Sequence, residues 1–228
     1  MMDFLKTTKR GPSRGRRRTA GGFTLVEMLA VILVISILMT VGVMGIKNLS
    51  AGKSTQAAVA AAEGLFEEAR LAAVGRGTTA RVLVLTDQNK KKSPEFLRRI
   101  LVAYKDTENG QWQLANRGYL LPDGVYFSRE FSKKDFAQSR TPLDTDGMTF
   151  PQNNYSGNYT YYEFNSEGVC TSPGASFIVG AGVRPPGGDP RVAGTERDFS
   201  GFVVWRNGHV SKFRSPSQMQ LPKSLQNF

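Results

Sequence analysis

From Met28 to Ile46 the sequence contains no charged residue, and a single carboxylate, Glu27, stands at the head of that run. An α-helix rises about 1.5 Å per residue, so the 24 residues from Phe23 to Ile46 extend roughly 36 Å, more than the ~30 Å of a bilayer's hydrocarbon core. The run therefore predicts a membrane-spanning helix over 23–46. A charged side chain inside such a helix costs on the order of 2.5 to 3.5 kcal/mol. Nothing basic lies near Glu27 within the helix, so its carboxylate either reaches back to the headgroup region or requires a partner.

The residues before the run set its topology. Lys6, Lys9, Arg10, Arg14, Arg16, Arg17 and Arg18 stand against one acid, Asp3, and their side chains sum to +6. Such a cluster stays on the cytoplasmic side. This basic leader, 1–22, ends in Gly21-Gly22 directly before the apolar run, whereas a secretory signal peptide carries its small-residue cleavage site beyond a shorter apolar stretch. Cleavage at this point leaves the anchor in place. The formal charge of +11 suggests a nucleic-acid binder at first sight, but the leader holds +6 of it and leaves +5. Most of the basic signal is topological.

Gly22-Phe23-Thr24-Leu25-Val26-Glu27 resembles the class III signal of type IV pilins and type II secretion pseudopilins. The resemblance implies that prepilin peptidase cuts between Gly22 and Phe23 on the cytoplasmic face and that the new Phe23 amine is N-methylated. Glu27 is then the fifth residue of the mature chain. In such assemblies this acid pairs with the Phe23 amine of a neighbouring subunit, which supplies the missing counter-charge and sets the stagger between helices. Many pilins carry a proline about 22 residues after the cut; Met44 occupies that position here, and Gly42, Gly45 and Gly52 weaken the helix in its place, each by about 0.8–1 kcal/mol relative to Ala.

Beyond the membrane the helical period continues over 47–77. Val59, Ala62, Phe66, Ala69 and Ala73 recur at helical spacing with Leu65 and Ala72 beside them, while Glu63, Glu67, Glu68 and Arg70 take other positions. This stripe is expected to pack against a sheet, with Gly75 and Gly77 as the stop signal. The remaining ~150 residues, 78–228, suit one globular head with its own core. Strands are expected at 80–85, 98–104, 112–114, 118–121, 125–127, 159–164, 176–179, 199–205 and 209–213, rich in β-branched and aromatic residues. The strand from Tyr159 to Phe164 reads as having one buried face. Asn207-Gly208 predicts a type I′ hairpin between the last two strands, Asn109-Gly110 a similar turn, and 185–194 a surface loop.

The expected fold is therefore α+β and pilin-like: a long N-terminal transmembrane and amphipathic helix packed on an antiparallel β-sheet head. The helix end from Leu65 to Gly77, the Leu121-Pro122-Asp123-Gly124-Val125-Tyr126-Phe127 segment, the Asn165-Ser166-Glu167-Gly168 turn and the last hairpin follow in the same order as in H-type, FimT-like minor pseudopilins, which this layout resembles.

No enzymatic chemistry is legible. Cys170, the only cysteine, has no partner for an intramolecular disulfide, and the only histidine, His209, lies 39 residues on in an expected strand, so an inert, partly buried thiol is expected. Asp144-Thr145-Asp146-Gly147 resembles half of a calcium loop, but loop positions 6 and 12 are Thr149 and Tyr155, so a hydrated turn is expected there. No cofactor is expected. A structural calcium in another loop stays open, because backbone carbonyl ligands leave no trace in a sequence. Arg206, Lys212 and Arg214, with Lys223, Trp205 and His209 nearby, either solubilise an exposed hairpin or bind nucleic-acid phosphates, as some FimT-like minor pilins do in DNA uptake.

The reading is a non-enzymatic structural subunit, of minor type, of a type II secretion pseudopilus or a type IV pilus-like filament. Its expected partners are prepilin peptidase, other pilins or pseudopilins, the assembly platform and the inner membrane, with the head periplasmic. The alternatives are a pilus subunit for adhesion or DNA uptake and a membrane-tethered binding domain that never polymerises.

Overall fold

The computed structural model describes residues 24–137, 141–185, 188–221 and 227–228, with side chains described throughout except at 38–52 and 153. The expected leader 1–22, the Gly22–Phe23 junction and Lys223 lie outside the described residues. The chain divides into two compact units, Met1–Val43 and Met44–Phe228.

Helix α1 runs Leu25–Arg76. Among the described residues no helix is long and apolar enough to cross a membrane; the second half of the apolar run lies in 38–52, whose side chains are outside the described set. The helix ends where the glycines signal. Gly77 adopts φ +60, its N–H donates to the Val74 carbonyl (3.2 Å) and the Thr78 N–H to the Ala73 carbonyl (3.0 Å). These two bonds form a Schellman motif and satisfy carbonyls that the last turn would leave orphaned.

Among the described residues eleven strands follow, all paired antiparallel. The first sheet has the order β3-β2-β1-β7-β6, from β1 (Ala80–Leu85), β2 (Arg99–Lys105), β3 (Trp112–Leu114), β6 (Thr145–Met148) and β7 (Gly157–Phe164), with β4 (Tyr119–Leu120) also on β2. The second runs β11-β10-β8-β5, from β5 (Val125–Phe127), β8 (Ala175–Val183), β10 (Phe199–Val204) and β11 (Val210–Lys212), with β9 (Arg191–Val192) on β8.

The helix stripe joins both sheets in one core. Ala58, Val59, Ala62, Leu65, Phe66, Ala69 and Ala73 are buried, which matches the predicted face. Phe66 is the centre of it. Its ring lies 4.8 Å from that of Tyr162 in the first sheet and 5.0 Å from that of Phe202 in the second, both edge-on, and also contacts Phe164 and Phe177. Alternation along β1 explains the division of labour: Ala80, Val82 and Val84 face the helix, and Leu83 and Leu85 face away.

Those outward residues build a second core, which the sequence reading missed. Leu83, Leu85, Leu101, Ala103, Met148, Phe150 and Tyr159 are all buried on the far face of the first sheet. β7 is thus buried on both faces, contrary to the single buried face expected: Tyr162 and Phe164 point to the helix and Tyr159 to the second core. The Tyr159 hydroxyl donates to the Tyr155 carbonyl, which satisfies its polar end.

Three local expectations are corrected. The stretch expected to be a hydrated turn at Asp144–Gly147 runs into edge strand β6, and its two acids are ion-paired, Asp144 before the strand with Lys134 (2.5 Å) and Asp146 within it with Arg81 (2.8 Å). β8 continues four residues past the expected end because Gly180 and Gly182 are strand positions on which the Phe199 and Phe228 rings lie, leaving no room for a Cβ. The stretch 185–194, expected to be a loop, includes the short strand β9.

Candidate functional site

Of the functional residues expected in the N-terminal unit, Glu27 is described, and it lies at the start of α1. Thr24 is the residue before the helix and Glu27 lies in its first turn. The Thr24 hydroxyl accepts from the Glu27 N–H (3.2 Å), and the Glu27 carboxylate accepts from both the Thr24 N–H (2.9 Å) and the Thr24 hydroxyl (3.0 Å). This is a reciprocal capping box, in which a side chain three residues into the helix satisfies the cap residue's own backbone N–H. Sequence reasoning found the acid but missed its partner, although Thr-x-x-Glu before an apolar run is the standard signature of such a box. Among the described residues, Glu27 therefore has two hydrogen-bond donors, both on Thr24, and no ion-pair partner.

Beyond Glu27, every described large apolar side chain from Leu25 to Ile37 is exposed. They point in all directions around the helix, with no polar face. The Ser36 hydroxyl is turned inward onto the Ile32 carbonyl (2.7 Å), so the described part of this segment offers its surroundings almost no hydrogen-bonding group. Such a cylinder is suited to lipid or to other apolar helices.

The second group of expected site residues lies on the last hairpin. Its turn is not type I′. The Gly208 N–H donates to the Trp205 carbonyl (2.9 Å) and the Trp205 N–H to the His209 carbonyl (2.8 Å), and only Gly208, at φ +79, is left-handed in this turn. Arg206, Asn207 and Gly208 form a three-residue loop, a type I turn closed by a glycine bulge. Asn207 instead accepts from the His209 N–H (3.1 Å) through its side chain.

The three cations lie in different settings. Arg206 is exposed in the turn, Arg214 is exposed beyond β11, and Lys212 points to the helix and pairs with Glu63 at 2.5 Å. Cys170 sits elsewhere: it is buried, its N–H donates to the Arg206 carbonyl (3.0 Å), and burial pushes its thiol up to about 11. A thiol so raised is neutral at physiological pH and a poor nucleophile. His209 is exposed. Among the described residues, no three His, Cys, Asp or Glu side chains are grouped to hold a metal ion.

The family described as the prokaryotic N-terminal methylation motif matches residues 17–43, which bracket the Gly22–Phe23 junction, Glu27 and most of the apolar run. No curated protein matches the chain. Two solved structures of the minor pseudopilin EpsH from the type II secretion system of Vibrio cholerae are similar to it. One shares 15% identity over 72% of this chain and 98% of that one, with a TM-score of 0.39. The other shares 10% identity over 72% and 96%, with a TM-score of 0.42.

Proposed function

We propose that this chain is a minor-type pseudopilin, a structural subunit of a type II secretion pseudopilus or of a related type IV pilus-like filament. Prepilin peptidase removes residues 1–22, Phe23 is N-methylated, the apolar stem holds the subunit in the inner membrane, and the head faces the periplasm. The observation that carries this reading is the methylation motif over 17–43, which covers a helical segment, 25–37, whose large apolar side chains are all exposed.

The stem does two jobs in turn. In the membrane its apolar surface is solvated by lipid. On assembly it exchanges lipid for neighbouring stems of similar polarity, so close packing and polar pairing, rather than hydrophobicity, decide the order. Glu27 is the switch between the two states. In the single chain its carboxylate is held by Thr24. In the filament it meets the methylated Phe23 amine of the next subunit, a contact between opposite charges, whereas the hydroxyl and amide of Thr24 are neutral donors. The head contributes surface and no catalysis.

Replacing Glu27 by Ala tests this directly. The variant is expected to be processed and inserted like the wild type but to be lost from filaments isolated with the partner pilins. Unchanged incorporation would contradict the role of Glu27 and favour the tethered domain that never polymerises.

A further inference from the structure

We propose that a cationic groove at the root of the head docks the phosphate headgroups of anionic phospholipids; the inference rests on the membrane anchor of the preceding section. The groove, of about 380 Å³, lies where the α1 residues Gln56 and Val59 face the second sheet. Arg197, Lys212 and Arg214 line it, no Asp or Glu does, and Phe213 and Met219 form part of its apolar floor.

The backbone that carries the two arginines is held by local hydrogen bonds. Arg197 lies in a short 3-10 turn that a reciprocal Thr195–Asp198 box closes, with the Asp198 carboxylate accepting from the Thr195 N–H at 2.7 Å. The backbone N–H of Arg214 donates to the Gln218 side chain at 2.7 Å. Lys212 shares Glu63, and both side chains of that pair stay about half exposed. Among the described residues, Arg197 and Arg214 have no ion-pair partner, so at least two positive charges remain uncompensated beside an apolar floor.

Charge and tether together select the occupant. A phospholipid offers an anionic phosphate for the arginines and glycerol with the first acyl carbons for the half-buried Phe213, behind which Val59 and Met219 are buried. The surface is also within reach: Gln56 is ten residues past Ile46, and ten residues span at most about 35 Å whatever course they take. Between Ile46 and Glu63 the only charged residues are Lys47 and Lys53, so no acid along that stretch repels an anionic surface. A nucleic-acid backbone carries the same phosphates but is not tethered to this face.

The test uses the full chain in nanodiscs of phosphatidylcholine alone and of phosphatidylcholine with phosphatidylglycerol, read by hydrogen exchange at 195–201 and 210–219. Exchange there is expected to slow about fivefold or more with phosphatidylglycerol, the scale of one basic residue at an anionic surface. The slowing should disappear in high salt and in R197E/R214E, while 58–73 of α1 stays equally protected and reports an intact head. Equal exchange in the two discs, slowing that survives R197E/R214E, or protection by a DNA oligonucleotide but not by phosphatidylglycerol would overturn the proposal. If the chain does not enter discs at all, the anchor is contradicted instead. The groove is then still read by flotation with phosphatidylglycerol vesicles, in which wild type is expected to float more than R197E/R214E and equal flotation refutes it.

Discussion

Phe66 shows what one residue does in this head. Its ring meets aromatic rings from both sheets, so truncation removes contacts on two sides at once and leaves a cavity that rigid strands cannot refill. Phe66→Ala is expected to destabilise the head by about 3–5 kcal/mol in chemical denaturation, with Phe66→Leu losing much less. The sequence placed Phe66 on the buried stripe, because helical spacing reveals a face. It could not reveal the hub, since Tyr162 and Phe202 reach Phe66 only through strand pairings over long sequence separations.

Cys170 makes a second prediction at this scale, and its sign is fixed by the shift. Burial raises the thiol to about 11 in the fold, whereas an unfolded cysteine titrates near ~8.5. Between those values the unfolded chain releases a proton that the folded one keeps, so this contribution to stability is complete below pH ~8.5 and lost as pH rises towards 11. Unfolding free energy measured from pH 8 to 11 is expected to fall more steeply for wild type than for Cys170→Ala. The native thiol is also expected to resist alkylation until the head unfolds. Matching slopes, or rapid native alkylation, would show that Cys170 is accessible.

At the scale of elements, the last hairpin depends on its glycine rather than on its asparagine. Gly208 is left-handed, and a Cβ there would run into the Arg70 side chain and close on the Gly168 carbonyl. Gly208→Ala is therefore expected to cost about 1–3 kcal/mol in the same denaturation assay, and Asn207→Ala clearly less. A type I′ turn, with both central residues left-handed, would make the two costs comparable.

The elements that the sequence misread share a cause. Thr145-Asp146-Gly147 has turn-like composition, yet β6 pairs because β7 offers it an edge and Arg81 neutralises its acid. β8 was cut short at Gly180 because glycine weakens a strand in isolation, while here the space beside it is filled by the Phe199 ring. In both places tertiary contacts override local preference. Where the signal is periodic or steric, as in the α1 stripe, its Gly77 stop and β1, the expected bounds match the structure closely.

At the scale of the whole molecule, the head closes its own cores, while the described large apolar side chains of 25–37 are exposed. The apolar run, the basic residues before it and Glu27 are legible because they are features of composition. The Thr24 partner is legible too, in the Thr-x-x-Glu spacing of a helix start. Thr24→Val removes the hydroxyl but keeps the backbone donor, so it is expected to slow assembly without abolishing it, whereas Glu27→Ala abolishes it; filament yield in the two variants separates these outcomes.

Under the filament reading Phe23 becomes the first residue of a processed subunit. The mass of the N-terminal peptide of the native protein, taken from cells with an active prepilin peptidase, decides this. A chain that begins at N-methyl-Phe23 is expected. An intact leader in those cells would leave Glu27 without a processed amine to meet, and would contradict the filament reading.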